Sequence, residues 1–290
     1  MHYAASGRRE ASDRRQRGRP DLCESRAMIA AMLPNQPSTA ELNGWTILSL
    51  RPSGEHAPVR RAAARRGARV IACSPLALRP LRAGDALARA LNADRVVFSS
   101  PAAVRFASMQ QPLALAATQR ALAVGAGTAA ALARHGIVAI YPRTQMTSEG
   151  LLALPPLQQI ARLSVGLITA PGGRGVLAAQ LAQRARHLHV AEVYERVPHP
   201  IRAATWRKLA QLATPLALLA SSGEALHAFA QQCPAPVRNA LAQALAVVAS
   251  ERLGQQARAQ GFANLIVAAS ARPSAMLAAL AEFHRESRFR

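Results

Sequence analysis

From Trp45 onward, short apolar runs alternate with longer segments in which Ala, Leu and Arg recur at helical spacing. The short runs are typical of buried strands, and the amphipathic segments between them are typical of helices. Strands that alternate with helices through short loops predict an α/β protein with parallel sheets. The predicted strands are 46–50, 69–72, 95–98, 122–124, 138–141, 165–169, 190–194, 216–219, 245–248 and 265–268, and the predicted helices include 57–66, 102–109, 128–134 and 252–260.

An internal repeat indicates that the chain contains two similar α/β units in succession. The segment VVFSSPAAVRFA, which contains Ser100, is echoed by LALLASSGEALHAF, which contains Ser222. A second pair, ALAVGAGTAAALARHGI and LAVVASERLGQQARAQGF, aligns Gly136 with Gly261, and SEGLLAL is echoed by SAMLAAL. Near the start, TILSLRP pairs with GLITAPGG. The separation between partners stays nearly constant, as small insertions in a duplicated unit would leave it.

The echoed segments fall where an open α/β sheet binds its ligands, beyond the carboxyl ends of the strands. SSP, GAGT, SSGE and SER each follow a predicted strand and open a predicted helix. Ser, Thr and Gly at such a place cap the helix, and they also present backbone N–H groups to an anion. Capping alone accounts for any single one of them, whereas their recurrence on two units favours an anion site. The residues concerned are Ser100, Gly125, Thr128, Ser222 and Ser250.

The net charge of +21 comes almost entirely from arginine, since Lys208 is the only lysine. Such a charge is compatible with nucleic acid, an anionic membrane surface or an acidic small molecule as partner. Nucleic acid is disfavoured because no helix-turn-helix, RRM or zinc-finger signature is present and only 4% of residues are aromatic. A membrane span is disfavoured because no apolar run is long enough to cross a bilayer.

Residues 1–44 precede the periodic pattern, and they are interpreted as a basic, disordered extension, with Met28 as an alternative start of translation. The three cysteines, Cys23, Cys73 and Cys233, are far apart and show no C-x-x-C spacing. Neither a disulfide framework nor a zinc site is therefore predicted, which fits a soluble protein of the cytoplasm.

A series of short motifs, each weak alone, resembles the uroporphyrinogen-III synthase family when taken in order and spacing. The likeness extends from about residue 45 to residue 280. The chain departs from the family pattern in three places. Ala170 and Pro171 stand where many members carry Arg-Gly, Arg252 stands where some members carry Thr, and Gly223 stands where a Pro is found. The motifs are LRPSG, VVFSSPAAV, AVGAGTAAAL, MTSEGLL, APGGRGVL, VYER, SSGEALHAF and VVASERLGQQAR.

The resemblance implies two similar parallel-sheet α/β domains joined by a two-stranded β linker, with the substrate cleft between them. Domain 1 is then discontinuous, formed by 45–72 plus 200–285, and domain 2 is 80–189. The linker strands are expected at 73–79 and 190–199.

The activity implied by the resemblance is the cyclisation of hydroxymethylbilane, with inversion of ring D, to uroporphyrinogen III in haem biosynthesis. Such a cyclising hydro-lyase needs no metal or redox cofactor, and a monomer without nucleic-acid or membrane partners is expected. Hydroxymethylbilane synthase is the expected upstream donor of the substrate. The alternative is a non-catalytic α/β module that binds a tetrapyrrole or another acidic small molecule.

By the same resemblance Tyr194, in VYER, is the candidate proton donor to the leaving hydroxyl; a tyrosine that simply packs the linker is the alternative. Arg51 is favoured among the arginines because it directly follows a strand, and Arg196 also lies near the predicted cleft. The expected substrate contacts are Arg51, Ser100, Gly125, Thr128, Gly173, Arg174, Ser222, Ser250 and Arg252. His187, His189 and His199 match no zinc spacing, and they are predicted to be surface residues.

Overall fold

A computed structural model describes residues 41–172, 175–212, 215–241 and 243–287. Most of the expected N-terminal extension (residues 1–40) and two expected substrate contacts, Gly173 and Arg174, lie outside the described residues. Within the described ranges the strands form two five-stranded parallel sheets and one two-stranded antiparallel ladder. The predicted α/β class is thereby confirmed.

The first sheet has the order β12-β11-β10-β1-β2, so its middle is built from both ends of the chain. The central strands β1 and β11 are buried along their whole length, whereas the edge strands β2 and β12 are partly exposed. Continuous apolar runs such as LAVV suit a strand that is covered on both faces. The strands are β1 (Thr46–Ser49), β2 (Arg69–Ala72), β10 (Leu216–Ala220), β11 (Leu245–Val248) and β12 (Asn264–Val267).

The second sheet repeats this arrangement with the order β6-β5-β4-β7-β8. The strands of the two sheets correspond one to one in these orders, as the internal repeat in the sequence predicts. The equivalent pairs are β12 and β6, β11 and β5, β10 and β4, β1 and β7, and β2 and β8. The strands are β4 (Arg95–Phe98), β5 (Arg120–Ala123), β6 (Ala139–Ile140), β7 (Ser164–Thr169) and β8 (His187–Glu192).

The ladder between the two sheets pairs β3 (Leu76–Pro80) with β9 (Tyr194–Pro198) in antiparallel register, with Leu78 opposite Arg196. Arg79 Nε donates to Glu195 Oε1 at 2.7 Å across it. One expectation needs correction here. Residues 190–192 were assigned to the linker, but they continue β8 and pair with β7 as far as Glu192, so the ladder begins only at Tyr194. The strand predicted at 190–194 spans this point, so the sequence pattern gave no sign of the break at Val193.

Helices cover both faces of each sheet, and their N-termini carry the expected capping residues. The expected caps Ser100, Ser222 and Ser250 each accept a hydrogen bond from a first-turn N–H group, and Thr147, which was not predicted, does the same. The helices are α1 (Ala57–Ala64), α2 (Gly84–Leu91), α3 (Pro101–Ser108), α4 (Ala126–Ala133), α5 (Ser148–Leu152), α6 (Val176–Arg184), α7 (Ala203–Ala210), α8 (Gly223–Gln232), α9 (Ala235–Leu241), α10 (Glu251–Ala259) and α11 (Pro273–Ser287).

The core of each domain lies on both faces of its sheet. In the first domain, Val59 of α1 and Leu277 of α11 are buried in one apolar cluster, and Phe229 of α8 is buried in another. In the second domain, Gly166 of β7 lets α2 approach closely, because a Cβ there would overlap the carbonyl oxygen of Ala90. Across the described part of the chain, no helix combines the length and the apolar character that a bilayer crossing requires.

Candidate active site

A cavity of about 370 Å³ opens at the carboxyl end of the second sheet. It is lined by the end of β4, the end of β7 and the start of β9, which is where an open parallel sheet places its ligands. We call it the Tyr194 cavity. Its polar lining includes Ser99, Ser100, Thr169, Glu192, Tyr194 and Arg196.

Tyr194 is fixed within this cavity by contacts on two sides. Its hydroxyl lies 3.0 Å from Ser100 Oγ, and its ring stacks on Phe106 with 5.3 Å between centroids. Only 3% of the residue is exposed. Ser100 is held in turn, because its Oγ caps α3 by accepting from the Ala103 N–H at 3.0 Å. The phenol oxygen therefore has a defined position at the cavity wall.

Charged and neutral polar groups surround this phenol, and both Glu192 and Arg196 line the cavity. The Arg196 guanidinium carbon lies 5.9 Å from the centroid of the Tyr194 ring, and its Nη1 lies 3.8 Å from Glu224 Oε2 of the first domain. Ser99 Oγ donates to Thr169 Oγ1 at 2.9 Å, which joins the ends of β4 and β7. A negative charge that develops on the Tyr194 oxygen would thus form beside a hydroxyl and near a guanidinium.

A second cavity, of about 490 Å³, lies at the carboxyl end of the first sheet. We call it the His56 cavity. It is bounded by the loop after β1, the segment after β2 and the start of α7. Its polar lining includes Ser53, His56, Arg60, Ser74, His199 and Arg202.

His56 is a buried imidazole, 7% exposed, with a hydroxyl at each ring nitrogen. Nδ1 lies 3.0 Å from Ser49 Oγ, and Nε2 lies 2.8 Å from Ser74 Oγ. Burial, reinforced by the positive charges of Arg60 and Arg51, lowers the pKa of His56 to about 4. The ring is therefore neutral near pH 7, with one serine donating to it and the other accepting its N–H.

A family model for uroporphyrinogen-III synthase HemD matches residues 58–278, which is most of the chain. The chain belongs to the uroporphyrinogen-III synthase family. It is 32% identical over 205 residues to the uroporphyrinogen-III synthase of Salmonella typhimurium, covering 68% of this chain and 82% of that protein. The uroporphyrinogen-III synthase of Escherichia coli is 32% identical over 158 residues, covering 53% and 64% of the two chains.

Solved structures of the same name share the fold. A mutant uroporphyrinogen III synthase from the extremely thermophilic bacterium Thermus thermophilus superposes with a TM-score of 0.53 at 19% identity, over 83% of this chain and 99% of that one. The enzyme from Helicobacter pylori 26695 gives a TM-score of 0.56 at 14% identity, over 82% and 99%. At such identities the likeness concerns the architecture and not individual contacts.

In this family member the predicted residues of the second domain divide into two groups. Ser100 and Tyr194 are in direct contact. Gly125 is the N-cap of α4, where a Cβ would approach Met146 Cβ to 3.2 Å, and Thr128 is buried in the first turn of that helix. Neither Gly125 nor Thr128 lines the Tyr194 cavity.

The predicted residues of the first domain lie at the ends of three adjacent strands. Ser222 caps α8 by accepting from Ala225 N–H at 3.3 Å, and Ser250 caps α10 by accepting from Leu253 N–H at 3.4 Å. Arg252 is exposed on α10. The Arg51 guanidinium donates to the Ala271 carbonyl at 3.3 Å, and burial lowers its pKa.

Ion pairs connect the two domains beside these strand ends. Arg105 Nη1 lies 2.8 Å from Glu55 Oε1, which joins α3 to the loop after β1. Among the predicted surface histidines, His187 is exposed on β8, whereas His199 lines the His56 cavity. His56 itself was not singled out from the sequence, because a lone histidine at a helix start belongs to no motif.

The described ranges contain no cluster of three or more His, Cys, Asp or Glu side chains that could hold a metal ion. Cys73 and Cys233 are free and buried, and burial raises the pKa of the Cys73 thiol to about 12. The hydroxyls, helix N-terminal N–H groups and guanidinium groups at the strand ends are hydrogen-bond donors, which favour an anionic ligand.

Proposed function

We propose that the protein is a uroporphyrinogen-III synthase that converts hydroxymethylbilane into uroporphyrinogen III with inversion of ring D. Family membership supports the reaction. The observation in this chain that best supports the proposed reaction is the position of the buried Tyr194 hydroxyl. It lies 3.0 Å from Ser100 Oγ, at the wall of a cavity beyond the strand ends.

The proposed first step is loss of the hydroxymethyl oxygen. The C–O bond breaks as Tyr194 transfers its proton to the departing oxygen, which leaves as water, and an electrophilic azafulvenium cation remains. Ser100 Oγ and the Arg196 guanidinium stabilise the phenolate that forms. General acid assistance of this kind contributes on the order of 10² to 10⁴ in rate.

Ring closure then follows at the substituted carbon of ring D, through a spiro intermediate that rearranges to the inverted ring. The proton released when the pyrrole regains its aromaticity restores Tyr194. Because the same bilane closes without inversion in the absence of enzyme, the main task of the protein is to hold one geometry and exclude the other.

The acidic rim of the substrate is proposed to lie against the strand ends of both domains. Serine hydroxyls, helix N-terminal N–H groups and arginines at these positions donate hydrogen bonds to carboxylates. The proposed contacts are Arg51, Ser100, Gly125, Thr128, Gly173, Arg174, Ser222, Ser250 and Arg252.

We further propose that the protein acts as a cytoplasmic monomer that receives the bilane from hydroxymethylbilane synthase. The buried free thiols of Cys73 and Cys233 are consistent with a reducing compartment. Light scattering after gel filtration tests the oligomeric state, and a dimeric mass would contradict the proposal.

The decisive experiment is a coupled assay in which freshly generated hydroxymethylbilane is mixed with the purified protein. The products are oxidised, and the type I and type III uroporphyrins are separated by chromatography, with a protein-free reaction as control. We expect type III to dominate. Only type I from a folded sample would contradict the proposal, and would favour a non-catalytic module that binds a tetrapyrrole.

A further inference from the structure

The two cavities occupy equivalent places in the two domains, and main-chain hydrogen bonds define the equivalence. The Cys73 N–H donates to the Ser49 carbonyl at 3.0 Å, as the Val193 N–H donates to the Thr169 carbonyl at 3.0 Å. The next residue in the first domain is Ser74, and the next residue in the second is Tyr194. Each then leads into one strand of the β3–β9 ladder.

The His56 cavity differs from its counterpart in its charge. Arg60 projects from α1, Arg202 stands at the N-cap of α7, and His199 closes the same wall. None of the described residues that line the cavity is an aspartate or glutamate, whereas Glu192 lines the Tyr194 cavity. Glu55, which directly precedes His56 in the sequence, forms an ion pair with Arg105, with 2.8 Å between Oε1 and Nη1.

The rest of the lining donates hydrogen bonds. Ser53, Ser74 and Thr205 add hydroxyl groups to the lining that contains Arg60 and Arg202. The volume of about 490 Å³ lies within the range of ligand pockets, roughly 300–1000 Å³. Two guanidinium groups that share a cavity with hydroxyl donors, and with no acidic residue among the described lining, match the bonding pattern of a carboxylate.

His56 gives this cavity a fixed wall. Both of its ring nitrogens are engaged, by Ser49 at 3.0 Å and Ser74 at 2.8 Å, so that the ring ties the end of β1 to the segment after β2. The imidazole thereby positions Ser74 and the loop that carries Ser53. Because both ring nitrogens are engaged, an anion in the cavity would be contacted by the arginines and hydroxyls.

We propose that the His56 cavity is a carboxylate-binding subsite, with Arg60 and Arg202 as its cationic ligands and His56 as a positioning residue. The identity of the carboxylate rests on the proposed function: an acetate or propionate arm of the tetrapyrrole is the expected occupant. A free small dicarboxylate is the other source of the same chemistry.

The test compares the Arg60→Gln/Arg202→Gln variant with a matched control, Arg61→Gln/Arg207→Gln. The control removes two exposed arginines from the same two helices, but neither of them lines the cavity. Binding of uroporphyrin III is followed by its fluorescence, and binding of glutarate by calorimetry. Thermal unfolding monitored by circular dichroism checks that all the proteins are folded.

We expect the cavity variant to bind uroporphyrin III on the order of tenfold more weakly than wild type, and the control to change less than about twofold. Unchanged uroporphyrin affinity with lost glutarate binding would support the subsite with a free anion as occupant. Equal losses in both variants, no loss in either, or no binding of either probe by wild type would overturn it. These readouts do not need turnover, so they remain decisive even if the coupled assay yields only type I product.

Discussion

The two cavities occupy equivalent positions in the two domains, but different side chains stand at that position. In the second domain, the residue that leads into the ladder is Tyr194, whose hydroxyl bonds to Ser100 at 3.0 Å. In the first domain that residue is Ser74, and its hydroxyl bonds to His56 at 2.8 Å. The duplicated fold thus supplies two polar sites beyond strand ends, and only one of them holds a phenol.

This difference suggests that the two cavities have two different tasks, which are proton transfer to the substrate and binding of its carboxylates. In the proposed mechanism the Tyr194 hydroxyl gives a proton, and the Arg196 guanidinium, 5.9 Å from the centroid of the Tyr194 ring, stabilises the resulting charge. The His56 cavity has an imidazole that is neutral near pH 7 and is used internally, so its chemistry is that of the arginines. We infer that the Tyr194 cavity of the second domain carries out proton transfer, and that the His56 cavity of the first domain contributes to substrate binding.

The sharpest test of this division is Tyr194→Phe, which keeps the ring that stacks on Phe106 and removes only the hydroxyl. We expect kcat for type III product to fall on the order of 10²-fold or more, because the leaving hydroxyl loses its proton donor. The matched control is Tyr141→Phe, at a tyrosine that lines neither cavity. Single-turnover kinetics with fresh hydroxymethylbilane measure both variants.

A kcat of Tyr194→Phe within about threefold of wild type would assign the tyrosine to packing, which is the alternative interpretation of its place in the linker. An equal fall in the Tyr141→Phe control would point to a general effect of the substitutions on the domain. Either result would remove the chemical contrast between the two cavities.

The next largest effect concerns the titration of His56. Its pKa is lowered from 6.5 to about 4 in the folded protein by burial and by Arg60 and Arg51, while Arg202 and His199 line the same cavity. As the pH falls below 6.5, the unfolded chain takes up this proton first, so the free energy of unfolding decreases until the pH reaches about 4. The loss attributable to this group is at most about 3 kcal/mol.

Urea unfolding at intervals from pH 7.5 to pH 4 measures this dependence. In His56→Gln the part of the slope that His56 contributes should disappear, so the difference between wild type and variant shrinks as the pH falls. His135→Gln, at an exposed histidine, is the matched control. Parallel curves for wild type and His56→Gln would mean that folding does not lower the pKa of His56.

Much of the fold follows from the sequence because apolar periodicity reports burial directly. The strands predicted at 69–72, 95–98 and 245–248 have the bounds of β2, β4 and β11. The break between β8 and β9 was missed, because Val193 and Tyr194 are both buried and the chain changes its pairing partner without a turn residue. Strand pairing depends on which other strand is nearby, and a local pattern does not contain that information.

The residues of the candidate site could be predicted only where a polar side chain belongs to a recognisable sequence motif. Ser100 and Tyr194 were identified from short motifs, and the structure brings them into contact. His56 was not identified, because its significance comes from Ser49 and Ser74, which follow two different strands. A residue whose role is created by tertiary contacts has no signature of its own in a single sequence.

The smallest expected effect compares Ser100 with its counterpart Ser222. Both cap helices, α3 and α8, so the Ala variant of each should lower the free energy of unfolding by about 1 kcal/mol. Only Ser100 also bonds to Tyr194, so Ser100→Ala should lower kcat several-fold more than Ser222→Ala does. Urea unfolding and the coupled assay on both variants measure the two quantities. Equal losses of stability and of kcat would reduce Ser100 to a helix cap, and the proton on Tyr194 would then depend on Arg196 alone.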